Sequence, residues 1–270
     1  MDDQYQSYVN RVVRVTLPDT YQSQLQHIQS SPKFQPTIAG GERHAVPFPG
    51  YTVITPPWTE AENHEFYTHL ASFQTQLLQQ VDPGLIVPVP PDSFHVTVAD
   101  LIWADAYRHA LETPDFEEQL RGRIAEIFQQ YQASIKQRQA IRWQPLGIVV
   151  MTRAIALALA PKDEYSYDQI VGFRRAVYQD LGLMGLGIEQ QYYFTAHVTL
   201  GYFGEVPANL DKDPTISTPF VNQLTKTFTD LNLTWLEDAP QEFQVNRAEL
   251  RKFDDMTHYY RQDDWPVLEF

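Results

Sequence analysis

The 270-residue chain has no cysteine, which excludes a disulfide framework, a thiol nucleophile and a thiolate metal site. Positive charge is scarce as well. Twenty Lys and Arg stand against 34 Asp and Glu, a formal charge of −14. Non-specific affinity for long nucleic acid comes from Lys and Arg displacing counterions from phosphates, so extensive nucleic-acid binding is not expected. A small phosphate ester, or one end of an oligonucleotide, remains compatible, because a pocket can differ from the mean surface. Long apolar runs are missing too: "LGIVVM" and "AIALALA" are far too short to span a bilayer. The opening "MDDQYQSYVN" has neither a basic n-region nor an apolar h-region. A cytoplasmic protein without membrane attachment, acting as a monomer, is the expectation.

What is present suffices for a sizeable core: 43% of residues are apolar and 13% aromatic. Residues 1–45 read as an N-terminal extension. "YVNRVVRVTL" is apolar enough to pack somewhere, and the stretch after it is loop chemistry rich in Pro, Gly and Ser. From Tyr51 the pattern turns regular. "YTVITPP" is a strand stopped by prolines, and Thr59 with Glu62 makes a capping box for a helix whose face is Phe66, Leu70, Phe73 and Leu77. A strand containing "HVTV" comes next. Thr113-Pro114 opens a second helix with the stripe Phe116, Leu120, Ile124 and Ile127, and "IRWQPLGIVVM" closes the unit.

The same order then recurs. "AIALALAP" is a strand, and Ser166 with Gln169 caps a helix bearing Ile170, Phe173 and Val177. Glycines 182, 185 and 187 break that helix before a second strand, "HVTL". Thr218-Pro219 opens a helix with Leu224, Phe228 and Leu231, "EFQVNRAELRKF" is the closing strand, and "THYYRQ" can pair with it as a hairpin. Phe66 and Leu70 map onto Phe173 and Val177 at an offset of 107 residues. The histidines map at 102, and Leu120, Ile124 and Ile127 map onto Leu224, Phe228 and Leu231 at 104. Such a drift fits loop insertions in a duplicated β-α-β-α-β unit. The architecture expected is α+β, with two pseudo-symmetric lobes at residues 46–151 and 152–265 facing each other across a groove.

Within each repeated phrase, side chains alternate across the strand. His95 and Thr97 share one face and Val96 and Val98 the other; His197 and Thr199 oppose Val198 and Leu200 in the same way. The aliphatic side can pack beneath helices. The polar sides, brought together by symmetry, would line the groove with two imidazoles and two hydroxyls. A histidine pair suits acid–base chemistry near neutral pH, and threonine hydroxyls can donate to phosphate oxygens. A lone His-x-Thr arises by chance about once in every two such chains. Two copies with aliphatic residues at both alternate positions arise about once in a thousand.

Other motifs fail on geometry. "HEFYTH" spaces its histidines i, i+5, about 140° apart on a helix, where a zinc helix needs i, i+4. "GLMGLG" ends a helix rather than starting one, so it reads as a stop and not a phosphate loop. Arg174 and Arg175 read as a solvated helix face, and Arg153 and Arg251 border strands within possible reach of a ligand.

The doubled His-x-Thr in a duplicated α/β chain resembles the 2H phosphoesterase superfamily, which includes 2′-5′ RNA ligase-like proteins and cyclic nucleotide phosphodiesterases. The resemblance spans roughly residues 46–265, with the specific match at "HVTV" and "HVTL". It implies two lobes of mainly antiparallel sheet flanked by helices, His95 and His197 as acid and base, and Thr97 and Thr199 on the phosphate. An aromatic or basic residue often comes after the second motif, and Tyr202 stands in that place. Tyr202 is a substrate-binding candidate on that ground, but simple alternation turns it away from the groove and gives Phe203 the parity of His197, which favours Phe203 as a second candidate. Phe94 or Phe203 can stack a base. The function implied is metal-independent, cofactor-free hydrolysis of a 2′,3′-cyclic phosphate or related cyclic phosphodiester on a nucleotide or oligonucleotide end. Non-catalytic nucleotide or RNA binding and 2′-5′ RNA ligation are the alternatives.

Overall fold

The computed structural model describes residues 2–36, 43–55, 61–136, 139–237 and 242–270. The chain begins with helices α1 (Tyr5–Val15) and α2 (Pro18–Leu25) and short strands β1 (Phe34–Pro36) and β2 (Arg43–Ala45). Then come β3 (Gly50–Ile54), α3 (His64–Gln80), β4 (Ile86–Pro88), β5 (Thr97–Trp103), α4 (Ala104–Ala110), α5 (Phe116–Ser134) and β6 (Ile141–Val150). The second copy contributes β7 (Ala154–Pro161), α6 (Glu164–Tyr178), α7 (Leu181–Gly185), β8 (His197–Phe203), α8 (Pro214–Glu237), β9 (Phe243–Val245), β10 (Arg247–Asp255), β11 (His258–Tyr260) and β12 (Val267–Glu269). Among the described residues no helix is long and apolar enough to cross a membrane.

Two five-stranded antiparallel sheets, flanked by helices, carry the fold. One runs β11-β10-β3-β5 with β12 also on β10; the other runs β4-β8-β7-β6-β9. The expected α+β class and antiparallel pairing are therefore present. The lobe boundary at 151/152 is not, because it cuts the β6–β7 hairpin, in which Val150 faces Ile155 and Trp143 faces Pro161. Three residues join these strands, too few for anything but adjacent antiparallel pairing. β6 is thereby drawn into the sheet of the second copy, and β10 fills the place beside β3 in the first. Each copy gives its closing strand to the other.

The N-terminal segment is core, not appendage. Tyr8, Val12, Tyr21 and Leu25 are wholly buried, with α1 against β7 and α2 against α8. The anticipated apolar faces are buried: Phe66, Leu70, Phe73 and Leu77 on α3, Leu120 and Ile124 on α5, Phe173 and Val177 on α6, and Leu224, Phe228 and Leu231 on α8. The anticipated helix starts fared differently. Asp163, not Ser166, caps α6 by accepting from Ser166 N (2.7 Å), while the buried Ser166 hydroxyl accepts from Arg142 N. α5 starts at Phe116 after Asp115 in a left-handed conformation, beyond Thr113-Pro114. α8 starts at Pro214 and holds Pro219 inside it. The Thr59 capping box lies outside the described residues. "THYYRQ" does form the hairpin, with Lys252 facing Tyr260.

Candidate active site

The two His-Val-Thr phrases meet. Val96 and Val198 form an antiparallel bridge, so the motifs run past each other about a local twofold where the sheets join. His95 sits just before β5 and His197 opens β8; both are half-buried. Each imidazole is held alike, with Nδ1 2.6 Å from the carbonyl two residues upstream, Ser93 O for His95 and Thr195 O for His197. A carbonyl can only accept, so Nδ1 carries the hydrogen and Nε2 is left for chemistry. Burial lowers the proton affinity of both rings. For His95 it does so to about 4, with His197 and the Arg251 guanidinium adding to the effect and the bond to Ser93 opposing it. For His197 burial is opposed by the bond to Thr195.

Thr97 and Thr199 are half-buried beside the histidines, and their hydroxyls have no hydrogen-bond partner among the described residues. Beyond them both strands bulge at the same point. Val98 is skipped between Thr97↔Ile54 and Ala99↔Val53; Leu200 is skipped between Thr199↔Ala156 and Gly201↔Ile155. The carbonyl at each bulge is met by a buried side chain of the other copy. Arg174 donates to Val98 O, and Gln74 donates to Leu200 O (2.7 Å). Gly201 is required here, since a Cβ would lie 2.7 Å from Val87 O on β4.

A bulge reverses the parity of the residues beyond it, and this corrects the aromatic assignment. Phe203 is wholly buried in the core, as is Phe94, so neither reaches a ligand. Tyr202 turns to the groove face instead, against Phe34 (ring centroids 5.3 Å apart) and the Lys33 ammonium. Its counterpart 102 residues earlier is Asp100, half-buried on the same face as Thr97. Tyr259 from β11 covers His95 at 4.3 Å between ring centroids. Asp100, Lys33 and Tyr259 escaped the sequence reading. Asp100 was discoverable, because the repeat offset pairs it with Tyr202; Lys33 and Tyr259 lie outside the motif and carry no such signal.

The arginines also sort themselves. Arg174 is not on a solvated face; it is fully buried and paired with Asp2 (3.2 Å). Arg153 is exposed and bonds to Gln29. Arg251 is held by Glu249 and donates to Tyr259 O (3.0 Å), which fixes the strand covering His95. His64 and His69 of "HEFYTH" are exposed. Among the described residues no group of three or more His, Asp and Glu side chains is arranged to hold a metal ion.

Residues 40–144, with the first motif inside them, match the 2H-phosphodiesterase family model, described as a domain of unknown function (DUF1868). A conserved protein of unknown function from Agrobacterium tumefaciens is similar in structure at 15% identity, with 84% of this chain and 92% of that one covered and a TM-score of 0.51. E. coli LigT complexed with NADP+ is similar at 12% identity, covering 82% and 98%, with a TM-score of 0.40. Kluyveromyces marxianus Usb1 with uridine monophosphate stands at 14%, 83% and 98%, with a TM-score of 0.43. At these identities the likeness concerns fold alone, and of these three the Agrobacterium protein is close enough in shape to argue from. Among curated proteins the sequence has no match. The family match over residues 40–144, the doubled motif and the paired sheets make the chain similar to the 2H phosphoesterase superfamily.

Proposed function

We propose that this protein is a phosphodiesterase that opens a 2′,3′-cyclic phosphate, or a related cyclic phosphodiester, on a nucleotide or oligonucleotide end without a metal ion. The observation that carries the reading is the antiparallel bridge between Val96 and Val198, which sets two identically oriented imidazoles and two free threonine hydroxyls about one local axis. Thr97 and Thr199 donate to the non-bridging phosphate oxygens. Arg251 lies on the His95 side, so the neutral ring is assigned to His95 and the proton to His197. His95 Nε2 takes a proton from water as its oxygen attacks phosphorus. One P–O bond to ribose breaks, and the departing oxygen takes the proton from His197 Nε2. The product is a phosphomonoester, and exchange with solvent returns the proton to His197.

The test is turnover of 2′,3′-cyclic mononucleotides by the wild type, His95→Ala, His197→Ala and the double variant, each with and without EDTA. Each single variant should lose at least about 100-fold, the double variant little more, and EDTA should change nothing. Near-normal turnover by either single variant defeats the two-histidine reading. Loss on chelation with rescue by a divalent ion defeats its metal-free form.

A further inference from the structure

Along the groove floor the paired positions run His95 and His197, Thr97 and Thr199, then Asp100 and Tyr202. One strand step of two residues is about 7 Å. Asp100 and Tyr202 therefore each lie one step beyond a hydroxyl assigned to phosphate, on strands that leave the antiparallel Val96–Val198 bridge in opposite directions. Lys33, from the N-terminal segment, links the two, with its ammonium over the Tyr202 ring and under the influence of the Asp100 carboxylate, beside the hydroxyls assigned to phosphate and where a nucleotide's base would fall. Its backbone is pinned by Val46 N to Lys33 O (3.0 Å) and, two residues earlier, by Ser31 N to Phe203 O (2.7 Å). Its ammonium lies 4.3 Å from the Phe48 ring centroid and 5.4 Å from that of Tyr202, with the Met256 sulfur at 3.2 Å. Lys33 makes no ion pair among the described residues, although the Asp100 carboxylate acts on it through space. Asp100 receives one side-chain hydrogen bond, from Thr52 Oγ1 (3.3 Å). An ammonium and a carboxylate are thus held near each other, under-bonded and out of direct contact, beside a half-buried aromatic face.

A half-buried charge without partners is costly, and the cost is offset when a ligand supplies them. A second phosphate would satisfy Lys33 but oppose Asp100. A base edge can satisfy both. Guanine presents two adjacent donors, N1–H and N2–H, which match the two oxygens of a carboxylate, and O6 beside them accepts from an ammonium. Adenine and cytosine set a ring-nitrogen acceptor beside their amino group, and uracil offers one donor between two acceptors. We propose that Asp100 and Lys33 read the edge of a guanine stacked on Tyr202, making the substrate a guanosine-ended cyclic phosphate. The assignment rests on the phosphodiesterase reading for where the phosphate lies.

Calorimetric titration of guanosine, adenosine, cytidine and uridine 3′-monophosphates into wild type, Asp100→Asn and Lys33→Met tests this directly. The wild type should bind the guanosine nucleotide at least about tenfold more tightly than the other three. Asp100→Asn, which swaps an acceptor for a donor, should erase that ratio, and Lys33→Met should narrow it. Equal affinity for all four bases, a ratio unmoved by Asp100→Asn, or no binding at all would overturn the proposal. Turnover of the matching 2′,3′-cyclic nucleotides keeps the two claims apart. Guanine preference without turnover supports the base site and removes the phosphodiesterase, while turnover without preference does the reverse.

Discussion

At the scale of residues, His95 carries a testable energetic signature. Its ring titrates near pH 4 in the folded protein against an ordinary value of 6.5, because burial, His197 and Arg251 all disfavour the charge. Above about pH 6.5 the group is neutral in both folded and unfolded chains and contributes nothing. Between about 6.5 and 4 the unfolded chain takes up a proton that the native state refuses, so stability falls as pH falls, by up to about 3 kcal/mol. Urea midpoints at pH 7.5 and 4.5 should therefore lie closer together in His95→Gln than in the wild type; an equal gap would show that His95 is not held neutral. The same depressions set the rate profile. Under the proposed mechanism kcat/KM should be bell-shaped with its maximum on the acid side of 6.5, since His197, its proposed acid, is also lowered from its ordinary value by burial. A maximum at pH 8 would contradict this. Sequence alone singled out both histidines and both threonines, on the two phrases that the structure brings together. Strict alternation misplaced Tyr202 and Phe203, because a bulge at Leu200 is a property of pairing with β7 and leaves no trace in composition.

Among the elements, α1 does the least expected work. Arg11 donates to Thr195 Oγ1 (2.7 Å) and Phe194 O (2.6 Å), and the Tyr8 hydroxyl accepts from Ala196 N (2.9 Å). The segment so held ends in the Thr195 carbonyl that orients His197. Under the proposed mechanism Arg11 is thus a positioning residue. Arg11→Ala should lower kcat by about tenfold with a smaller change in KM, and Arg11→Lys should recover part of the loss. A loosened bond to Thr195 O also withdraws what favours His197 protonation, so the alkaline limb should move to lower pH. A fall in thermal stability with an unmoved pH profile would make the contact merely structural. Helix faces were readable from apolar spacing, but helix starts were not. Ser166 has the chemistry of a cap and is drawn into the core instead, and Asp163 takes the role because its backbone is still extended where α6 begins.

For the molecule as a whole, charge and topology pull apart. A net charge of −14 disfavours binding along a polyanion, so the proposed function confines ligand recognition to the groove. With His95→Ala, affinity for a guanosine-ended oligonucleotide should stay within a few-fold of that for the mononucleotide and depend weakly on salt. Affinity that climbs with chain length and collapses with salt would show an extended RNA-binding surface. Topology brings in what no local pattern announces. β6 and β10 exchange sheets, and residues 2–33, an appendage by their sequence, supply both the Asp2 partner of buried Arg174 and the Lys33 ammonium.

The residues alone determined the duplication, the antiparallel α+β class through its family likeness, and the four motif side chains, because periodicity and a repeated phrase are local signals. The tertiary structure decided which strand belongs to which sheet, which side of each bulge a residue faces, and which distant residues close the groove. Those depend on hydrogen-bond register and on the partners that buried charges must find. Both are set by residues distant in sequence: Thr199 pairs with Ala156, and Arg174 finds Asp2.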